Sequence, residues 1–141
     1  MSATTNGRLA LAISNAVVRC TREYTGRGPT KARTTIGNDT IVTRMEDTLT
    51  KGERSLVDSG KGDMVTDIRR CFQTTMREAL TAEIEKLTGR KVIAFMSDNH
   101  IEPDIGVEIF VLEPSGNDGE GAYGLRPHDA AAASPSQSSR D

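Results

Sequence analysis

Apolar positions recur in two rhythms along this chain. Between Arg8 and Tyr24, the residues Leu9, Ile13, Ala16, Val17, Cys20 and Tyr24 are spaced three and four apart. Arg8, Asn15, Arg19, Arg22 and Glu23 lie mostly off that stripe. A period near 3.6 predicts an amphipathic helix over 8–24. Gly26 then stops it in a left-handed cap and Pro29 bars its continuation. The rhythm changes to alternation. In "TKARTTI" Ala32, Thr34 and Ile36 oppose Lys31, Arg33 and Thr35, and in "TIVTRME" Ile41, Thr43 and Met45 oppose Val42, Arg44 and Glu46. With the turn cluster Gly37–Asn38–Asp39 between them, these read as a hairpin with one wet face.

"TKGE", Thr50 to Glu53, has the form of a capping box and predicts a short helix over 51–58, broken by Gly60 and Gly62. The longest stripe follows. Met64, Val65, Ile68, Cys71, Phe72, Met76, Ala79, Leu80, Ile84 and Leu87 predict a helix over 63–88, closed by Gly89. Arg69, Arg70, Arg77, Glu78, Glu83, Glu85 and Lys86 are expected to point away from its packed side. "KVIAFMS" (91–97) and "IGVEIFVL" (105–112) are nearly all apolar and predict strands covered on both faces or seated near a partner. The order is α-β-β-α-α-β-β, an α+β domain. Two long helices are expected to pack on one face of a four-stranded, mainly antiparallel sheet.

Composition trims the domain at both ends. Residues 1–7 read as a loose start. From Pro114 onward Gly, Ser, Ala, Pro and Asp dominate with no apolar run, so residues 114–141 are expected to be a disordered tail. The folded domain is therefore 8–113. It is short of aromatics and has no Trp, which predicts modest stability or support from a partner subunit, a homodimer included. No apolar run approaches the ~20 residues that span a bilayer. No cleavable leader is evident, so a cytoplasmic protein is expected, peripheral at the inner membrane if it meets one. Cys20 and Cys71 lie in apolar stripes, outside any Cys/His ligand spacing, and read as reduced core residues.

Charge is uneven although the net value is only −2. Residues 8–44 carry seven basic and two acidic side chains, whereas residues 91–141 carry three basic and nine acidic. The basic front suggests an anion-attracting face. A pI near 5.7 disfavours nucleic acid as the partner.

Two stretches invite chemistry. "TGRGPTK" is glycine-rich with nearby cations, but its order is helix–loop–strand and its spacing departs from a phosphate-binding P-loop. A helix cap and strand entry explain its glycines. The cations Arg27, Lys31, Arg33 and Arg44 remain as a candidate surface for an anion or a docking partner, with Arg22 beside them. In "SDNHIEPD" the residues Asp98, His100, Glu102 and Asp104 alternate as oxygen and nitrogen ligands would. The pattern lacks the loop that converges carboxylates on a hard cation, so no metal site is assigned. There is no nucleophile elbow, paired-carboxylate set or cofactor fingerprint; neither an enzyme nor a cofactor is expected.

With those elements placed, the chain resembles the MpsC-like domain family. The resemblance rests on "YTGRGPTKART", "IVTRMEDTLTKGERSL", "VTDIRRCFQTTMREALTAEIEKLTGRKV" and "SDNHIEPDIGVEIFVL", in that order over residues 8–113. Gly26, Gly28, Pro29 and Lys31 match the family's glycine-rich signature, and Leu49, Thr50, Glu53 and Leu56 match its "LT..E..L" pattern. The resemblance implies a small bacterial single-domain protein linked to membrane cation translocation or inorganic-carbon uptake, and it carries over no catalytic residue. The expected role is a non-enzymatic accessory or regulatory protein of such a membrane system, partnered by a transporter subunit. The alternative is a sensor of a small anion or nucleotide that uses the Gly26–Lys31 loop.

Overall fold

The computed structural model describes residues 3–114. The elements are α1 (Ala3–Thr25), β1 (Lys31–Ile36), β2 (Thr40–Glu46), α2 (Lys51–Asp58), α3 (Gly62–Thr88), β3 (Val92–His100) and β4 (Ile105–Leu112). This is the α+β order that the two rhythms predict. The helix α1 starts at Ala3, inside the segment expected to be a loose start. The tail after Pro114 lies outside the described residues.

All strand pairings are antiparallel and the sheet order is β1-β2-β4-β3. The second hairpin is thus inserted with β4 against β2, so β3 is an edge and not an interior strand. This corrects the interior, doubly covered placement of "KVIAFMS"; its alternative, a seat near a partner, stays open. Ile93 and Met96 are 54 % and 49 % exposed, and only Phe95 of that strand is buried. Helices α1 and α3 pack on each other and on one face of the sheet. Ile13, Val17 and Cys20 of α1 meet Ile41 and Met45 of β2, Met76, Leu80 and Ile84 of α3, and Phe110 of β4. Phe110 is fully buried and its ring centroid lies 5.3 Å from that of Phe95. A hydroxyl chain fixes α1 against the first hairpin: Ser14 Oγ to Thr34 Oγ1 is 2.7 Å, and Thr34 Oγ1 to Thr43 Oγ1 is 2.9 Å.

Each helix ends as its local chemistry dictates. Gly26 has φ +87°, and its N–H donates to the Arg22 carbonyl at 2.9 Å. Only glycine adopts this conformation without steric cost, so Gly26→Ala is expected to lose about 1 kcal/mol, read from thermal melts. Thr50 and Glu53 form the reciprocal capping box of α2: Glu53 N–H donates to Thr50 Oγ1, and Thr50 N–H donates to Glu53 Oε1. In α3 the buried line runs Val65, Arg69, Met76, Leu80, Ile84. It passes through Arg69 rather than Cys71. Cys71 is exposed, against the expectation that both cysteines are core residues, while Cys20 is buried and burial raises its thiol pKa to about 11.

Candidate functional site

The sheet has a second face, and no described helix packs on it. Alternation sends Ile41, Thr43 and Met45 of β2 towards the helices, leaving Val42, Arg44 and Glu46 on the open side. In β4, Gly106, Glu108, Phe110 and Leu112 are buried against the helices, and Ile105, Val107, Ile109 and Val111 face the open side. The strand register lays these residues out in rows. One row runs Arg33, Arg44, Val107, Asp98, and the next runs Thr35, Val42, Ile109, Met96. The open face therefore has an apolar centre on β4 and β2, with cations at its β1 end. The near-continuous apolar sequence of β4, expected to mean cover on both faces or a seat near a partner, is covered by the described helices on one face.

Three of the four cations singled out by sequence share this face. Lys31 stands opposite Glu46, and Arg33 stands directly opposite Arg44. Facing like charges on neighbouring strands cost a few tenths of a kcal/mol. Arg44 Nη2 is partly relieved by Glu46 Oε2 at 3.2 Å, and both side chains stay accessible. Arg27 does not join them. Its Nη2 donates to Asp47 Oδ2 at 2.6 Å and its Nε to the Asp47 carbonyl at 3.2 Å. It ties the glycine loop to the corner after β2.

Three of the loop's amides are already engaged by the fold. Gly26 N–H donates to Arg22 O, Arg27 N–H to Thr25 Oγ1, and Thr30 N–H to Glu46 O. Gly28 is needed for close approach, since a Cβ there would stand 3.2 Å from Arg22 Nε and 3.3 Å from Val18 Cγ1. This is a helix stop packed under a guanidinium. With the Gly26, Arg27 and Thr30 amides already engaged, it lacks the run of free N–H groups with which a phosphate loop holds its ligand.

The alternating acids of "SDNHIEPD" are also dispersed. Strand β3 extends to His100, so the turn is only 101–104. Asp104 turns inward and accepts from Thr48 Oγ1 at 2.9 Å, Leu49 N at 3.0 Å and Arg54 Nη2 at 3.0 Å. Asp98 accepts from the Asn99 amide, and His100 Nδ1 lies 2.8 Å from the Pro103 carbonyl. Among the described residues no group of three His, Cys, Asp or Glu side chains is placed to hold a metal ion.

Sequence reading missed a buried charged cluster on the helix side. Arg69 and Glu108 are 4 % and 5 % exposed, and Glu53 is equally buried. Arg69 Nη2 donates to the Thr48 carbonyl and lies 3.4 Å from Glu53 Oε1. Glu108 Oε1, Glu53 Oε2 and Arg69 Nε find no hydrogen-bond partner among the described residues. Burial lowers the Arg69 pKa, opposed chiefly by Glu53. Burial raises that of Glu108 to about 7, opposed by the facing Ser97 hydroxyl and by Arg69. The one available signal was Arg69 itself, spaced four residues from Val65 and seven from Met76 on the packed side of α3.

A family model described as "Na+-translocating membrane potential-generating system (MpsC)" matches residues 5–114, nearly the whole described chain. No curated protein and no solved structure matches the chain.

Proposed function

The chain belongs to the MpsC family, and from that premise we propose that it is a non-enzymatic accessory protein of a Na+-translocating, membrane-potential-generating system, acting through protein contacts at the membrane surface. The observation that carries this reading is the open sheet face. Its apolar centre of Val42, Val107, Ile109 and Val111 is flanked by Lys31, Arg33 and Arg44. Exposed cations beside apolar area fit a partner surface that is apolar at its middle and acidic at its rim. Desolvated apolar contact supplies affinity there, and charge complementarity supplies orientation and encounter rate. The absence, among the described residues, of any helix long and apolar enough to cross a membrane supports a docking role over ion conduction through a helical span.

Lys31→Glu/Arg33→Glu/Arg44→Glu reverses the cationic end without touching the Arg27–Asp47 tie. Co-sedimentation is measured with membranes that contain the translocating system, with membranes from cells lacking its subunits, and with protein-free anionic vesicles. The native chain is expected to sediment with the first alone and to be released by salt, and the triple variant is expected to lose about tenfold or more in affinity. Equal sedimentation of native chain and triple variant overturns the reading. So does equal retention on the vesicles, which transfers the cations to a lipid-binding role.

A further inference from the structure

The second unpartnered surface is the β3 edge together with the outer side of α3. Among the described residues β3 pairs with β4 alone, so its other edge has no strand partner. Natural edges are usually blunted by charge or proline, yet this one runs Val92-Ile93-Ala94-Phe95-Met96. The extra residue at the bulge after Val92 is Ile93, which is mostly exposed. Beside it lies a groove of about 340 Å³ between strand and helix, lined by Arg77, Thr81, Glu85, Ile93 and Phe95 among others.

The helical wall of that groove is self-complementary. Arg77, Thr81 and Glu85 are spaced i, i+4, i+8 and so follow one another along one side of α3. A two-fold axis perpendicular to the sheet and level with Thr81 runs α3 antiparallel to its own copy. That operation sets Arg77 of one copy beside Glu85 of the other, twice. The same axis lays β3 antiparallel to β3, the pairing that an antiparallel edge accepts from itself. Arg77 and Glu85 are already held in place: the Arg77 guanidinium sits 5.2 Å from the centroid of the Phe95 ring, and Glu85 Oε2 accepts from the Val92 amide at 2.9 Å.

We propose that the occupant of this edge is a second copy of the chain. The product is a C2 dimer with one continuous eight-stranded sheet, two α3 helices side by side and Ile93 of each copy buried at the seam. Isologous two-fold pairing is the commonest form of soluble oligomer, and it requires a patch complementary to itself. The dimer leaves both open sheet faces on one side, doubling the docking surface for a shared partner. Two weak contacts made by one rigid body act together, so binding at that face gains avidity from the dimer.

The test is mass in solution by sedimentation velocity on the full chain. Twice the chain mass of 15.2 kDa is expected. Ile93→Lys, Arg77→Glu and Glu85→Arg are each expected to weaken the dimer by about tenfold or more. The double swap Arg77→Glu/Glu85→Arg is expected to restore it, because the two-fold register exchanges the same two charges. The triple variant at the open face is expected to remain dimeric, which separates this proposal from the docking reading. A monomeric native chain at tens of micromolar overturns the proposal without any variant. A dimer indifferent to Ile93→Lys, or a double swap that stays monomeric while folded by circular dichroism, overturns it as well.

Discussion

Arg69→Ala is expected to destabilise the fold by about 3–5 kcal/mol, measured by urea unfolding at pH 7.5. The side chain is 4 % exposed and joins α3 to α2 and to the segment that precedes it. It stands on α3, donates to the Thr48 carbonyl ahead of α2, and lies against Glu53 of α2. Removing it leaves a buried carboxylate at Glu53 and a second acid at Glu108 without their cation. A buried charge stripped of its partner suffers the desolvation cost with no return, which places this loss above that of an ordinary surface ion pair. Against a typical total of about 5–15 kcal/mol, that is a large share of the stability. Arg69→Lys retains the charge but not the forked donor, and an intermediate loss is expected. Arg69 and Glu108 are also expected to be coupled: Glu108→Gln stabilises the Arg69→Ala variant by more than it stabilises the native chain, since a neutral amide needs no cation. Strict additivity of the two substitutions would show that Arg69 serves Thr48 and Glu53 alone.

That cluster marks the limit of what patterning reveals. The 3.6-residue rhythm of α3 and the alternation of β1 and β2 are local properties, and the elements follow them nearly residue for residue. Which positions on α3 are buried is a tertiary matter. Val65, Arg69 and Met76 share the packed line, while Cys71 and Met64, equally apolar in sequence, face solvent. A helix stripe defined by hydrophobicity alone skips a charged residue whose partners lie in α2 and in the chain before it. Strand order is likewise non-local. "KVIAFMS" and "IGVEIFVL" are both nearly all apolar, but β4 pairs with β2 and becomes interior, leaving β3 at the edge. The basic residues illustrate a third case. Arg27, Lys31 and Arg33 lie within seven residues of one another, yet only the two on β1 reach the open face, because Arg27 precedes the strand and turns to Asp47.

The same geometry gives the domain two kinds of apolar surplus. The helix-side core is closed by α1 and α3, whereas β4 carries apolar residues on both faces and β3 carries them at a free edge. A chain this short buries a limited fraction of its surface by itself. The surplus is arranged on two surfaces at right angles, one across the sheet and one along its edge. An edge contact between copies and a face contact with a different partner therefore do not compete for the same residues.

Glu108→Gln is expected to make the protein more stable above neutral pH and to leave it nearly unchanged at pH 4.5. Glu108 lies on the helix-facing side of β4, opposite Ser97 of β3, with Arg69 of α3 as the cation that acts on it. Burial dominates and lifts its pKa from 4.5 to about 7. The folded state therefore binds a proton more tightly than the unfolded chain does. Below the unfolded pKa both states carry the proton, and the stabilising contribution is fully present. As pH rises the unfolded chain ionises first, and stability falls by about 1.4 kcal/mol per pH unit until the folded pKa is passed. Across the window from 4.5 to 7 the loss amounts to about 3 kcal/mol. Glutamine has nothing to titrate, so the native-minus-variant difference in unfolding free energy should trace that window and flatten above it. The subtraction removes the background from every other carboxylate, including Asp104 and Asp47, whose ion pairs act in both proteins. A difference that stays flat between pH 4.5 and 8 would mean that Glu108 is ionised throughout and that Arg69 neutralises it in the fold. A difference of the opposite sign would make the Arg69–Glu108 attraction, rather than burial, the dominant influence on that strand.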